Sequence, residues 1–428
     1  MSIKIQDFKL EKNSKIPYHI QIYEYLLSKI KSKELKAGEK LPNEETLSTL
    51  VGVSRITVRS ALRELELKGE IIRTRGVGTI IADNSLINRV TKTDASNKPK
   101  RNIVSFMLPQ IGAIKQKDWK PVIRPAKREY IIAYGSLAKG YWWYHNLVEQ
   151  SMVEAAKAMG CNAFVLNNNL DYETAIKNAE TVIELHKKGE LDFFINAQFY
   201  KEANDSISEI LEEARVPSCS VDIAFPNFPY FHVNDYKGNF LAGEWLGNYA
   251  LSKKWNINKI EFIYFDQVGS PDISVLRREG ALNGVKSIIN VKKENITIVK
   301  LNLGKFENAR KKMLDWLKDH PDSHNILIAG IHTYPTLGAL SALRKLGREE
   351  DAIICGLGGA KEEFEEIIKP YSAYKAVVSA FPEKYGTIAI PFAVDYLEGL
   401  AVPADFVGYT AIITKDNLKR FYPEFFLK

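Results

Sequence analysis

Three arginines spaced four apart, Arg55, Arg59 and Arg63, place their guanidinium groups in a stripe along one side of a helix. Each is a planar fork of N–H donors, suited to phosphate oxygens and to the O6/N7 edge of guanine. Ser54 stands just before the stripe, where its hydroxyl can accept from the free N–H groups of a first helical turn. Val58, Ala61, Leu62 and Leu65 recur at i, i+3, i+4 and i+7 and give the same helix an apolar face. Gly69 suits its stop. Upstream, Leu47 and Leu50 mark a shorter helix that Asn43 can cap, and Gly52 turns the chain between the two. Downstream, Ile71–Arg75 and Thr79–Ala82 read as strands around Gly76-Val77-Gly78, a hairpin with Arg73 and Arg75 on its arm. A charge run is ordinarily a solvated helix face, and for Arg63 an ion pair with a glutamate serves as well as a DNA contact. Helix, turn, helix and hairpin in that order favour a DNA reader with a wing.

A second set of residues suits a different ligand. Trp142, Trp143 and Tyr144 follow an apolar run at Tyr130–Tyr134, Asp222 follows another at Pro217–Val221, and Arg277 opens a helix. Aromatic faces stack on the C–H face of a sugar, a guanidinium forks across neighbouring hydroxyls, and a carboxylate accepts hydroxyl protons. Each has an ordinary alternative: aromatics build cores and interfaces, arginines lie on surfaces and aspartates cap turns.

Other chemistries lack their residues. Gly356–Lys361, GLGGAK, fails both the G-x-G-x-x-G spacing and the P-loop. His320 and His324 are spaced like metal ligands, but they bracket Pro321 with no cysteine pair nearby, so no metal is expected. No nucleophile–base pair and no carboxylate pair supports catalysis, so neither an enzyme nor a cofactor is expected. Cys161, Cys219 and Cys355 lie far apart and read as buried reduced thiols.

The elements that would hold these residues follow from pattern. At 428 residues the chain suits about three units of ordinary size, and 45% hydrophobic content supplies their cores. Net charge is +7, but residues 1–101 carry 20 Lys and Arg against 12 Asp and Glu, and the rest balances to about −1. The positive charge thus lies where a polyanion is expected, and the neutral remainder suits an uncharged ligand. The first residues, MSIKIQDFKLEKNSK, lack the apolar run of a signal peptide, and no stretch of about 18 apolar residues follows, so a cytoplasmic protein without membrane contact is expected. Ile16 to about Glu34 is an amphipathic helix. Residues 84–101 are polar and basic and read as a linker between a domain at 1–83 and another at 102–428. Asn102–Leu108 reads as a strand. From Glu129 onward apolar strands alternate with helices through about Leu397, with helices at Leu147–Met159, Gly238–Ser252 and Val275–Ile289 among them. That alternation predicts parallel sheets covered on both faces, in two lobes. The fold class expected is therefore multidomain: a small α+β winged helix-turn-helix, then a two-lobed α/β domain.

The first domain resembles the winged helix-turn-helix of the GntR family of bacterial regulators. Pro17-Tyr18, Gln21-Ile22, Leu35–Pro42, Gly52-Val53-Ser54-Arg55, Thr57-Val58-Arg59, Ala61-Leu62, Leu65 and Gly76–Thr79 carry the resemblance. It implies DNA contacts from Ser54, Arg55, Thr57 and Arg59 on the second helix, and from Arg75, Gly76 and Gly78 at the wing. Glu45 stands where the family usually has a DNA-touching arginine. The remainder, Glu129 to Pro423, is similar to the type-I periplasmic-binding-protein fold used by LacI-type sensors and sugar-binding transport proteins. Val233–Tyr236 with Gly238, Arg277 with Glu279-Gly280, Leu337–Leu340, and Ile412 to Pro423 carry that likeness. It implies a ligand site at the strand ends, formed by Trp142, Trp143, Asp222, Asp235, Arg277 and His332. Two positions depart: His332-Thr333 replaces the usual Asn-Asp, and Gly358 replaces an aspartate, which suggests an unusual sugar or a larger ligand needing room.

Together the resemblances imply a dimeric regulator, a repressor or an activator, that binds double-stranded operator DNA and senses a small molecule, foremost a sugar of a carbohydrate-utilisation pathway. The alternatives are a polyol, nucleoside or phosphorylated sugar as effector. A transport solute-binding protein would not carry the winged helix. An aminotransferase-like body would need a pyridoxal-phosphate lysine and its N-P-x-N-P segment, which are not found.

Overall fold

The structure is a computed structural model and describes residues 8, 10–11, 14, 17–36, 39–67, 70–74, 78–81, 105–107, 111–112, 114–137, 143–198, 201–268, 271–302 and 304–426. The expected linker, together with Gly69, Arg75, Gly76 and Trp142, lies outside the described residues. The chain forms two compact units. One holds residues 1–109, 135–137 and 166–229, the other 110–134, 138–165 and 230–428.

The first unit begins with α1 (Tyr18–Lys31), α2 (Glu44–Val51), α3 (Arg55–Leu67), β1 (Ile71–Thr74) and β2 (Gly78–Ile81). Local chemistry sets the boundaries. Asn43 Oδ1 accepts from Thr46 N at 2.8 Å and starts α2. Gly52 ends it at φ 72°, a left-handed backbone that glycine adopts without penalty. Ser54 Oγ accepts from Thr57 N at 3.1 Å and starts α3. The antiparallel β1–β2 pair runs from Ile71 opposite Ile81 to Thr74 opposite Gly78. Ile22, Leu26, Leu47, Val51, Val58, Leu62, Leu65, Ile71 and Ile81 share one core. Each such side chain contributes roughly 1.5–3 kcal/mol on burial.

After β3 (Ile131–Ser136) come α4 (Trp143–Ala158), β4 (Asn162–Asn167), α5 (Tyr172–Lys187), β5 (Phe193–Ala197), α6 (Lys201–Ala214), β6 (Ser218–Val221) and β7 (Tyr230–His232). Next are α7 (Asp235–Ser252), β8 (Glu261–Val268), α8 (Pro271–Ile288), β9 (Ile296–Asn302), α9 (Phe306–Asp319), β10 (Ile326–Gly330) and α10 (Thr333–Lys345). The chain closes with β11 (Ala352–Gly358), α11 (Lys361–Ile367), β12 (Tyr374–Ser379), α12 (Gly386–Leu397), β13 (Asp405–Val407), β14 (Ala411–Thr414) and α13 (Leu418–Phe421). Two six-stranded sheets result, in the orders β14-β12-β11-β10-β8-β9 and β13-β7-β6-β5-β3-β4. The expected parallel pairing holds from β9 across to β12, while β14 is antiparallel to β12.

In the second unit, α9 and α10 share a core with one face of the β8–β12 sheet, and α7 and α8 share another with the opposite face. Glycines let α7 and α8 approach closely. A Cβ on Gly243 would lie 2.0 Å from Ala281 O, and one on Gly284 2.0 Å from Phe240 O. Several boundaries differ from the sequence expectation. α7 starts at Asp235 rather than Gly238, because Asn234 Oδ1 accepts from Lys237 N at 2.9 Å. α8 starts at Pro271 rather than Val275, proline being favoured in a first turn. α4 begins at Trp143, not Leu147. Asn102–Leu108 does not form the expected strand where it is described: Ser105–Met107 is a 3-10 turn. Residues 119–130 then run without regular structure, held by side chains. Trp119 Nε1 donates to Asp395 at 3.0 Å, and Arg124 meets Asp395 at 2.8 Å and Glu398 at 2.9 Å.

Candidate functional site

The first candidate surface is the start of α3. Ser54 and Arg55 are exposed, and Arg55 projects from the first turn. Thr57 is buried, 1% exposed, with its hydroxyl 2.8 Å from Ser54 Oγ, so this pair serves the cap. Arg59, 12% exposed, is occupied within the unit: Nε donates to Glu44 Oε2 at 2.8 Å, Nη1 lies 3.3 Å from Glu213, and Nε lies 3.6 Å from Glu209. Burial alone would discourage its charge, but these carboxylates outweigh burial and raise its pKa. Of the two arginines expected at DNA, Arg55 is exposed and Arg59 is paired within the unit. Glu44 was the missing signal, adjacent to Glu45 but on no periodic stripe. Glu45 is exposed. Gly78 opens β2; Arg75 and Gly76, expected at the wing tip, are not among the described residues.

The second candidate site lies in the other unit, at the ends of β8, β10 and β11. Parallel strands deliver the first turns of their following helices there, which is where open α/β sheets bind ligands. Arg277, in the second turn of α8, donates through Nε to Asp235 Oδ1 at 2.6 Å and through Nη1 to Ile331 O at 2.8 Å. Asp235 is the first residue of α7, where a carboxylate also meets the positive helix end. Burial opposes the Arg277 charge, yet Asp235 more than compensates and raises its pKa. His332 caps α10, its Nδ1 accepting from Tyr334 N at 3.4 Å. Burial, with the nearby Arg277 and His145, holds His332 down to about 3, so it is neutral. Burial likewise lowers His145 to about 4. Arg277 with Asp235 is a closed pair, so neither presents an uncompensated charge to the site.

Trp143 opens α4 rather than lying in a loop, and it faces Gly358. A Cβ on Gly358 would lie 3.1 Å from Trp143 Cζ2, 2.3 Å from Thr333 Oγ1 and 3.2 Å from Glu363 Oε2. The expectation of spare room at Gly358 is thus corrected: the chain's own side chains fill it. Glu363 was missed by sequence reasoning. It is fully buried and accepts from Gly359 N at 2.8 Å, Ala360 N at 2.7 Å, Thr333 Oγ1 at 3.1 Å and Tyr374 OH at 2.5 Å. Burial raises its pKa against the pull of these donors. Its carboxylate fixes Thr333 beside His332.

Asp222 belongs to the first unit, following β6 with φ 62°, a backbone that aspartate tolerates better than most residues. In the same unit, strand ends carry amides that periodicity does not single out. Asn168 Nδ2 donates to Asn196 Oδ1 at 3.2 Å and to Ala197 O at 3.0 Å, and Asn178 donates to Asn168 Oδ1 at 2.9 Å. Among the described residues no cluster of three or more metal-ligating side chains occurs; His320 binds Trp316 O at 2.8 Å and His324 binds Asp351 at 2.8 Å. The three cysteines are buried and free, as expected. No helix among the described residues is long and apolar enough to cross a membrane.

Residues 19–81 match the model for bacterial regulatory proteins of the gntR family, and residues 136–401, more than half of the chain, match that of the periplasmic binding protein domain. The HTH-type transcriptional regulator GgaR of Escherichia coli K12 is 46% identical over 65 residues, 15% of this chain and 26% of its own. The HTH-type transcriptional repressor NagR of Bacillus subtilis is 40% identical over 73 residues, 17% of this chain and 30% of its own. The chain therefore spans about a third or less of these relatives. A periplasmic solute-binding protein from Actinobacillus succinogenes with bound D-allose superposes with TM-score 0.57 at 18% identity, covering 68% of this chain and 100% of that one.

Proposed function

We propose that this chain, which belongs to the periplasmic binding protein domain family across residues 136–401 and carries a gntR-family domain at residues 19–81, is a cytoplasmic transcription regulator, not an enzyme, that binds operator DNA and responds to a neutral sugar. Residues 1–83 are the DNA-binding domain, 84–101 the linker and 102–428 the sensor. Ser54, Arg55, Arg59, Arg75, Gly76 and Gly78 are assigned to the DNA face, and Trp142, Trp143, Asp235, Arg277 and His332 to the ligand site. The D-allose bound by the structurally similar protein and the repressor named among the relatives support this reading.

One observation carries the choice of ligand: the 2.6 Å pair between Arg277 and Asp235, beside a neutral His332. A phosphorylated sugar wants uncompensated positive charge, whereas this site offers oriented donors and acceptors that balance. Hydroxyls fit that balance, and the ring of Trp143 fits a sugar's C–H face. The regulator acts as a homodimer on a two-fold operator, since paired winged helices read half-sites about one helical turn apart.

A thermal-shift screen against neutral sugars, polyols and sugar phosphates tests the ligand class. A neutral sugar should raise the unfolding midpoint and change affinity for the selected operator. Stabilisation by anionic metabolites alone would remove the neutral-sugar reading while leaving the DNA reading intact.

A further inference from the structure

Within the first unit, the middle of α3 is already seated on another helix. Arg59 reaches Glu209 at 3.6 Å and Glu213 at 3.3 Å, both on α6. The next residue, Ser60, is 3% exposed, with its hydroxyl 2.8 Å from Ser206 Oγ of α6. Tyr172, the first residue of α5, donates its phenol to Ser60 and lies 3.1 Å from Ser206 Oγ. His19 of α1 stacks on Tyr172 with ring centroids 4.3 Å apart. His19, Ser60, Tyr172 and Ser206 are all 5% exposed or less, so the contact is dry; the three hydroxyls pair with one another across it, whereas His19 Nδ1 is buried without a hydrogen bond.

We propose that the acidic face of α6 is a docking surface for the DNA-reading helix α3, and that docking there and reading DNA exclude one another. The inference rests on α3 being the reading helix. The major groove is about 12 Å wide and a helix with its side chains about 10–12 Å across, so the Arg59–Ser60 face of α3 cannot face the groove and α6 at once. The chemistry competes in the same way. Glu209 and Glu213 set carboxylates against Arg59 where a duplex would set phosphates or a guanine edge. To bind DNA, α3 must leave α6 and expose Ser60, Tyr172 and Ser206 to water. Only the undocked fraction is competent, and the apparent affinity falls by that fraction. A signal that shifts the docked population then changes operator occupancy without touching any residue that meets DNA.

The test uses the full-length chain and a duplex of roughly 30 base pairs carrying the sequence it enriches from a random pool. Ser60→Cys with Ser206→Cys places thiols where the two hydroxyls meet, while the native cysteines are buried. Oxidation should weaken duplex binding by about tenfold or more, and reductant should restore it. Separately, Glu209→Gln with Glu213→Gln should tighten binding about threefold beyond the charge-matched control Glu294→Gln with Glu350→Gln. Equal binding by cross-linked and reduced protein, a cysteine pair that stays reduced under oxidant, or tightening no greater than the control overturns the docking proposal. Arg55→Ala separates the two ideas. If it weakens binding while the cross-link does not, only the docking falls; if it changes nothing, the assignment of α3 as the reading helix falls with it.

Discussion

Arg55 and Arg277 are the same side chain in opposite surroundings. Arg55 stands exposed in the first turn of α3 with its charge open to a polyanion. Arg277 is largely enclosed, and its charge is answered at 2.6 Å by Asp235. An open guanidinium gains from phosphate or guanine with little desolvation to overcome. A closed one presents directed N–H groups but no long-range field. In the proposed function, DNA reading at one end of the chain rests on charge, and ligand binding at the other on the geometry of charges that cancel.

The strongest way to break this contrast is Arg277→Ala. It leaves the Asp235 carboxylate enclosed without its partner, and loss of one member of such a pair costs about 3–5 kcal/mol. Urea unfolding should show that loss, with operator affinity nearly unchanged in protein that remains folded; an unchanged midpoint would mean that the pair is solvated. Arg55→Ala should behave inversely. It should weaken operator binding by about 1–3 kcal/mol and flatten the salt dependence, while the unfolding midpoint stays in place. Electrophoretic shift across a salt series reads both effects.

Acid probes the neutral side of the contrast. Burial lowers His145 to about 4, well below its unfolded value, so its contribution is present above pH 6.5 and lost as pH falls toward 4. At pH 5.5 this group alone should cost about 1.2 kcal/mol relative to neutral pH. His145→Gln should flatten the acid limb of the stability curve, and an unaltered limb would mean that the imidazole titrates normally. The smallest effect is expected from Glu45→Arg, which adds an exposed cation beside the reading helix. It should tighten DNA binding by under about 1 kcal/mol, mostly on non-operator duplex and with a steeper salt slope. Weaker binding would instead give Glu45 a role in accepting a base amino proton.

The winged helix was legible because local chemistry decides it. Asn43, Gly52 and Ser54 mark their boundaries by residue type alone, and the apolar period of α3 is regular. The strand–helix alternation was legible for the same reason, since buried parallel strands are continuous apolar runs. What escaped were elements with too few residues to show a period. β7 and β13 have three residues each and β14 four, and β14 reverses direction at the sheet edge. Asn102–Leu108 misled because a short apolar run has the same composition in a strand and in a 3-10 turn, which is what its described part, Ser105–Met107, forms. At the sites, residue types pointed to Arg59, Arg277 and His332, but their partners were out of reach. Glu44, Glu209 and Glu213 converge on Arg59, and Asp235 on Arg277, through tertiary packing across sequence gaps that no helical or strand period spans. Glu363 is the clearest case, since in sequence it is one of four glutamates within 362–366, and only the fold buries it.

The glycine contacts between α7 and α8 have a mechanical consequence. The two helices run side by side in the same direction, backbone against backbone at Gly243 and Gly284, with no layer of side chains to shear between them. They form a girder about 27 Å long. Asp235 and Arg277 sit near one end of it, one on each helix. A pull on that ion pair reaches the far end as a displacement of the whole girder instead of dissipating in rotamer changes, and compliance has to reside in the loops at its ends. Gly243→Ala or Gly284→Ala would wedge the girder apart and soften it, which amide hydrogen exchange would register as faster exchange along both helices together.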